Sequence, residues 1–214
     1  MKTFTLILGT FLTAAIVGHA QTIENCDTNR SSPPPGRYSW AAGAEVRVYL
    51  MTGMFTREQK ETLLQAMKDW TNAVQRIGTG VRFTYAGETN DVATCRNCLT
   101  LSRREIFKTD RKHYAFFNPL EQDENGQLIS AWIDFDYATT DPKALQGFMS
   151  HELGHGMGLW DCPSCKSRQT IMTSFPGINK NNGLIEPSPC DLEVVRRVYE
   201  RRVGGNESLM SRRD

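Results

Sequence analysis

The stretch SHELGHGMGLWDC, residues 150–162, decides how the rest of the chain is read. His151 and His155 are four residues apart, so on a helix they share one face and both imidazoles can reach one metal ion. Glu152 is adjacent and points to the neighbouring side. There a carboxylate is poorly placed to be a ligand but can take a proton from a water on the ion. After a glycine at 158 the chain can swing back, and Asp161 stands where it would meet the metal. Zinc accepts a carboxylate oxygen at about 2.0–2.2 Å, and a catalytic zinc uses three protein ligands plus an open position. The triad expected from spacing is therefore His151, His155 and Asp161, with Glu152 as general base. An aspartate ligand adds negative charge, so the site should be a weaker Lewis acid than one with three histidines.

Other readings of these residues follow from the same chemistry. Asp161 could be an exposed loop acid or an acceptor for a histidine N–H. His113, Glu186, Glu193 or the thiolate of Cys162 could complete the site in its place. Of the four histidines, His19 lies in the apolar leader, so two of the remaining three belong to the motif.

Outward from the motif, the helix that carries it has a start and a stop. Asp141 is an N-cap and Pro142 the first helical residue. Gly158 accepts the left-handed conformation of the residue that closes a helix. Upstream, AEVRVYLM (44–51) alternates apolar and polar residues as a half-buried strand does. Thr56 and Gln59 spell a capping box, and Leu63, Met67, Trp70, Val74 and Ile77 form one apolar stripe of a helix ending near Gly78. Strands are expected over VRFTYAGE (81–88), CLTLSRREIF (98–107), HYAFFNP (113–119) and ISAWIDFDY (129–137). The last two flank turn chemistry at Asn125-Gly126. A final helix begins near Ser188. The order strand, helix, three or four strands, helix, loop, helix describes a single layered domain mixing α and β.

The ends have a different character. Lys2, the apolar run Phe4 to Val17, and the small residues Gly18 and Ala20 read as a secretory signal peptide over 1–20. A proline-rich tail spans 21–43, since NRSSPPPGR (29–37) suits neither helix nor interior strand. The domain spans 44–203 and a C-terminal tail 204–214. The chain carries 25 basic and 24 acidic residues, a balance that argues against a nucleic-acid partner. No apolar stretch past the leader is long enough to span a bilayer. No Asp/Asn-rich loop of recognisable calcium-binding spacing is present, so calcium stays open.

Six cysteines follow the leader: Cys26, Cys95, Cys98, Cys162, Cys165 and Cys190. In an exported chain an even count favours disulfides, and six allow fifteen connectivities. The expected pattern is Cys95–Cys98, Cys162–Cys165 and a staple Cys26–Cys190. A structural zinc centre built from the two Cys-x-x-Cys pairs is the alternative.

HELGHGMGLWD followed by TIMTS (170–174) resembles the metzincin clan of zinc endopeptidases, with their His-Glu-x-x-His-x-x-Gly-x-x-His/Asp pattern and Met-turn. The order of elements is similar to matrixin-type catalytic domains over roughly Ala44 to Arg202, and the third-position aspartate is similar to snapalysin-type members. The resemblance implies an α+β zincin domain: a mixed twisted sheet, an active-site helix, a Met-turn at Met172 and a C-terminal helix. It implies His151, His155 and Asp161 as ligands of one catalytic Zn2+ and Glu152 as general base. It further implies a protein or peptide substrate held extended along the sheet edge around His113 to Phe117, with Phe175 in a pocket wall. A secreted monomer is expected.

Three departures from the family stand out. Thr173 and Ser174 follow Met172 where some members place a tyrosine. No long inhibitory propeptide is present, although Cys26 could reach the zinc as a latency ligand. Cys162-Pro-Ser-Cys165 abuts the third ligand. Against the endopeptidase stand a non-catalytic module that keeps zinc for folding and a zinc hydrolase of a non-peptide amide.

Overall fold

The computed structural model describes residue 26 and residues 32–106, 114–165, 169–173 and 184–210, with side chains up to Arg202. The expected signal peptide, His113, Ser174 and Phe175 lie outside the described residues.

Five strands and three helices follow in the order β1 (Glu45–Met51), α1 (Arg57–Arg76), β2 (Arg82–Thr89), β3 (Cys98–Arg104), β4 (Ala115–Gln122), β5 (Leu128–Asp136), α2 (Pro142–Gly156) and α3 (Pro189–Met210). The strands form one mixed sheet, ordered β2-β1-β3-β5-β4. β1 pairs in parallel with β2 and β3, and β3 in parallel with β5. Only β4 runs antiparallel, against β5. Parallel neighbours need a crossover, and α1 supplies it between β1 and β2. A tight turn at Gly126 (φ 71°) suffices between β4 and β5, as the Asn125-Gly126 pair predicts.

Local sequence explains the elements. In β1, Val46, Val48 and Leu50 are fully buried while Glu45 and Arg47 face water. The Thr56 hydroxyl accepts from the Gln59 N–H at 3.2 Å and the Gln59 side chain accepts from the Thr56 N–H at 3.0 Å, so the capping box forms. The apolar stripe of α1 lies inward, with Leu63, Trp70 and Val74 fully buried. α1 packs on α2 and β2, and α2 on β4. β3 is buried on both faces, since Cys98, Leu99, Thr100 and Leu101 are all inaccessible. Its second face is covered by the preceding loop, where the Ala93 N–H donates to the Thr100 hydroxyl at 2.9 Å.

The cysteines pair as Cys26–Cys190, Cys95–Cys98 and Cys162–Cys165. All six are consumed, which removes the four-thiolate centre. It also leaves Cys26 without a thiolate for any metal and occupies Cys162. The first bridge closes a sequence separation of 164 residues and ties the N-terminal segment to the start of α3.

The described part of the proline-rich segment is not a detached tail. Residues 32–40 form a strap across the end of α2 and the β4–β5 hairpin. The Gly36 N–H donates to Gly158 O (2.8 Å), Trp40 N–H to Gly156 O (3.0 Å) and Leu128 N–H to Ser39 O (2.9 Å). Trp40 is fully buried. The prolines still exclude helix and strand, as expected, yet isolated bridges at Pro35–Leu159 and Ser39–Gln127 fix the strap in place. α3, in turn, runs on to Met210, beyond the point where its apolar pattern stops.

Candidate metal centre

α2 is built to hold one face still. Asp141 caps it, its carboxylate accepting from the Ala144 N–H at 2.9 Å, and Pro142 opens it. Nearly all of its remaining length is buried, including Ser150, His151, Glu152 and Leu153. The Trp70 indole on α1 donates to the Ser150 carbonyl at 2.8 Å, pinning the helix one residue before the first histidine. The helix ends at a Met157 cap and Gly158 (φ 88°). A side chain at 158 would be strained by that φ and would also meet Val198 Cγ1 of α3 at 2.9 Å. The reversal carries Leu159 into the core and returns Asp161 to the helix face.

One donor atom each from His151, His155 and Asp161 gathers within 4.8 Å of the others. Asp161 Oδ1 is 3.1 Å from His151 Nε2 and 3.7 Å from His155 Nε2. Each histidine is oriented from behind: His151 Nδ1 lies 2.9 Å from Ile171 O, and His155 Nδ1 3.0 Å from Leu159 O. A carbonyl only accepts, so both Nδ1 atoms carry the proton and both Nε2 lone pairs face Asp161. Two lone pairs and a carboxylate cannot converge without a proton or a cation between them. A nitrogen, nitrogen, oxygen set of this kind suits zinc.

The charges agree. Burial disfavours protonation of His151, but the Asp161 carboxylate at hydrogen-bond distance and the nearby charge of Glu152 outweigh it, and its pKa stands at about 8. Burial, reinforced by the positive His151, pushes His155 down to about 4. In the metal-free protein His151 therefore holds the proton where a cation would sit. That proton is bound below pH 8 and must leave when metal enters. Apparent zinc affinity is expected to fall about tenfold per pH unit as pH drops below 8 and to level off above it. Zinc titrations between pH 6 and 9 check this; a flat profile from 6 to 8 would refute it.

Of the alternatives for the third position, Glu193, Cys162 and Glu186 lie among the described residues. Glu193 is paired with Arg196 and Arg197, each at 2.8 Å, and Cys162 is in a disulfide. Glu186 is exposed and belongs to no metal-competent cluster among the described residues. Asp161 is the group that meets the histidines, while Glu152, 5 % exposed, lies buried beside them.

Beneath the histidines, Met172 is fully buried in a turn held by the Thr170 hydroxyl, which accepts from the Met172 N–H at 3.0 Å. The Met172 carbonyl accepts from the Cys162 N–H at 2.9 Å, joining this turn to the loop behind Asp161. Asp191 of α3 braces it from below: its carboxylate accepts from the Ile171 N–H (3.0 Å), the Ser188 N–H (2.8 Å) and the Thr170 hydroxyl. Burial raises the Asp191 pKa above the ordinary carboxylate range. Asp191 thus holds Ile171, the residue whose carbonyl orients His151, by its N–H. The Ser188-to-Asp191 spacing was the sequence signal for it, a capping pattern whose acid also reaches the turn.

Met172 Sδ occupies the space beside Gly154, where an added Cβ would lie 2.5 Å from it, with Leu159 and Trp70 at 3.5 Å. Gly154→Ala is expected to destabilise the fold by about 1–3 kcal/mol, because overpacking in a closed core outweighs the roughly 1 kcal/mol gained by replacing a helical glycine. Thermal unfolding of the metal-free protein measures it, and a raised midpoint would refute the packing argument.

Two aromatic neighbours were missed in the sequence. Tyr38, on the strap, stacks on Phe117 at 5.7 Å and 15°. Burial and then the charges of Glu152 and Asp161 push its pKa up to about 12. Trp160 stands immediately before Asp161, its ring 6.4 Å from that of His155. The run Tyr-Ser-Trp at 38–40, out of place in a proline-rich tail, was the available hint for the first.

No family model matches the chain, and no curated protein matches it. Among solved structures it is similar to metalloproteinase-II from Bacteroides fragilis, at 10% identity and a TM-score of 0.42 over 72% of this chain. The match spans 54% of that protein's chain.

Proposed function

We propose that this chain is an exported zinc-dependent endopeptidase whose catalytic domain spans 44–203, with Glu152 as general base and His151, His155 and Asp161 as metal ligands. One observation carries the reading: three donor atoms converge within 4.8 Å beside a buried carboxylate. Held by His151, His155 and Asp161, a zinc ion would supply an acidified water, with a pKa of about 7, and Lewis-acid polarisation of a carbonyl. The chain's own residues do the rest. Glu152 receives the proton of the attacking water and passes it to the departing amine. Ile171 O and Leu159 O orient the two imidazoles so that Nε2 would be the ligand atom of each.

The substrate-binding element of this reading is β4, the edge strand beside α2. The Asp136 N–H donates to Tyr114 O at 2.8 Å. Residues 114, 116 and 118 therefore turn their backbone groups to β5, and Ala115, Phe117 and Pro119 turn theirs outward. An extended peptide can pair with that edge, which no described strand covers. Pro119 has no N–H, so it offers the edge no donor.

The test is zinc content of the purified mature protein together with cleavage of a peptide library. About one zinc per chain is expected, with cleavage abolished by a chelator and restored by zinc. One zinc per chain without cleavage of any peptide would sink the endopeptidase and favour a module that uses the metal for folding. Cleavage confined to a small non-peptide amide would favour the other zinc hydrolase.

A further inference from the structure

His155 is bracketed by aromatic rings from separate parts of the chain. Phe117, on edge strand β4, lies 6.3 Å from it at 52°, and Trp160 lies 6.4 Å from it at 68°. Tyr38 extends this wall by stacking on Phe117. Phe117 is seated against α2, within 3.2 Å of where a side chain on Gly156 would begin.

Trp160 differs from its neighbours. Leu159 is 1 % exposed and packs inward, whereas Trp160 is 46 % exposed. Trp40 and Trp70 are both fully buried. Its exposure is not that of a loose loop. The Trp160 N–H donates to Pro34 O at 2.9 Å, the next residue is a site aspartate, and the residue after that is bridged to Cys165. The backbone is held on both sides while half of a large apolar ring remains in water beside the metal-competent triad. Such a ring contributes binding when a second apolar surface covers it.

We infer that Trp160, with Phe117 and Tyr38, forms a specificity wall that takes an aromatic or large apolar side chain flanking the scissile peptide bond. This rests on the endopeptidase reading above. The wall selects the substrate by covering its side chain, and the chemistry stays with Glu152 and the triad. Trp160 is the specificity-determining residue because it alone of the three is exposed by nearly half.

The test compares two hydroxamates, which bind zinc whether or not the protein is a peptidase: phenylalanine hydroxamate and glycine hydroxamate. Their affinities for the zinc-loaded protein are measured by calorimetry, with zinc content checked for each variant. The wild type is expected to prefer the phenylalanine compound by about tenfold, in line with a good aromatic contact. Trp160→Ala should cut that preference to about threefold or less, and Trp160→Phe should restore most of it. In a peptide library, the same substitution should flatten the preference for aromatic residues beside the cut. A preference unchanged in Trp160→Ala at full zinc content, or absent in the wild type, overturns the wall. A wild type that discriminates between the hydroxamates yet cleaves no peptide overturns the endopeptidase and leaves the wall standing. A wild type that binds neither compound overturns both.

Discussion

Asp161→Ala is expected to strip the protein of zinc and of peptide cleavage together. Losing only a hydrogen-bonding partner of a ligand typically weakens metal affinity by about 10–100-fold. Removing a ligand should exceed that, so a drop of at least about 100-fold is the expected result. The change deletes an oxygen donor 3.1 Å and 3.7 Å from the two histidine nitrogens. It also lowers the His151 pKa, which eases proton loss on metal entry, but that gain is small beside the loss of a ligand. Asp161→His supplies a nitrogen donor in its place. The position has room, since 49% of the Asp161 side chain is accessible, so this variant should regain zinc where alanine does not. Equilibrium dialysis against zinc buffers, with cleavage assayed on the same samples, reads both quantities. If Asp161→Ala retained zinc and activity, another group would complete the site. Glu193 is held by two arginines and Cys162 by a disulfide, so His113 would be the next substitution.

The second large effect should separate metal binding from chemistry. Glu152→Gln keeps the shape of the side chain and removes its capacity to take a proton. Cleavage should fall by about 10²–10⁴-fold in kcat, the usual contribution of a positioned general base, while zinc stays near one per chain. Glu152 is not part of the converging donor set, and that is why the two readouts should part. A glutamine variant that cleaves within a few-fold of wild type would show that another group takes the proton. A variant that lost its zinc would show that Glu152 helps hold the metal.

Much of this was legible because it is local. The capping box at Thr56 and Gln59, the Asp141-Pro142 start, the Gly158 stop and the Asn125-Gly126 turn are decided within a few residues. Each formed as its side-chain chemistry requires. The His151, Glu152, His155 spacing was equally local, since helix geometry alone puts the two histidines on one face.

The supports of the site could not be read in that way. Asp191 is 30 residues past Asp161 and reaches the site only because α3 folds under the Met172 turn. Trp70 lies 80 residues before Ser150. Tyr38 sits in a segment whose prolines mark it as irregular, and its backbone bonds to Gly156, Gly158 and Leu128 have no sequence signature. The Cys26–Cys190 staple was expected from the cysteine pattern and forms, joining residue 26 to the start of α3 across a sequence separation of 164 residues.

By itself, then, the sequence determined where the strands and the first two helices lie, where α2 begins and ends, and that two histidines share one face of it. Those outcomes depend on backbone propensity, capping and periodicity, which act over a few residues. Only the tertiary structure decided the sheet order β2-β1-β3-β5-β4 and the stacking of Tyr38 on Phe117 beside His155. These depend on contacts between distant segments. Their free energy comes from burying Trp40, Trp70 and the sheet together, and no single stretch carries a record of its partners.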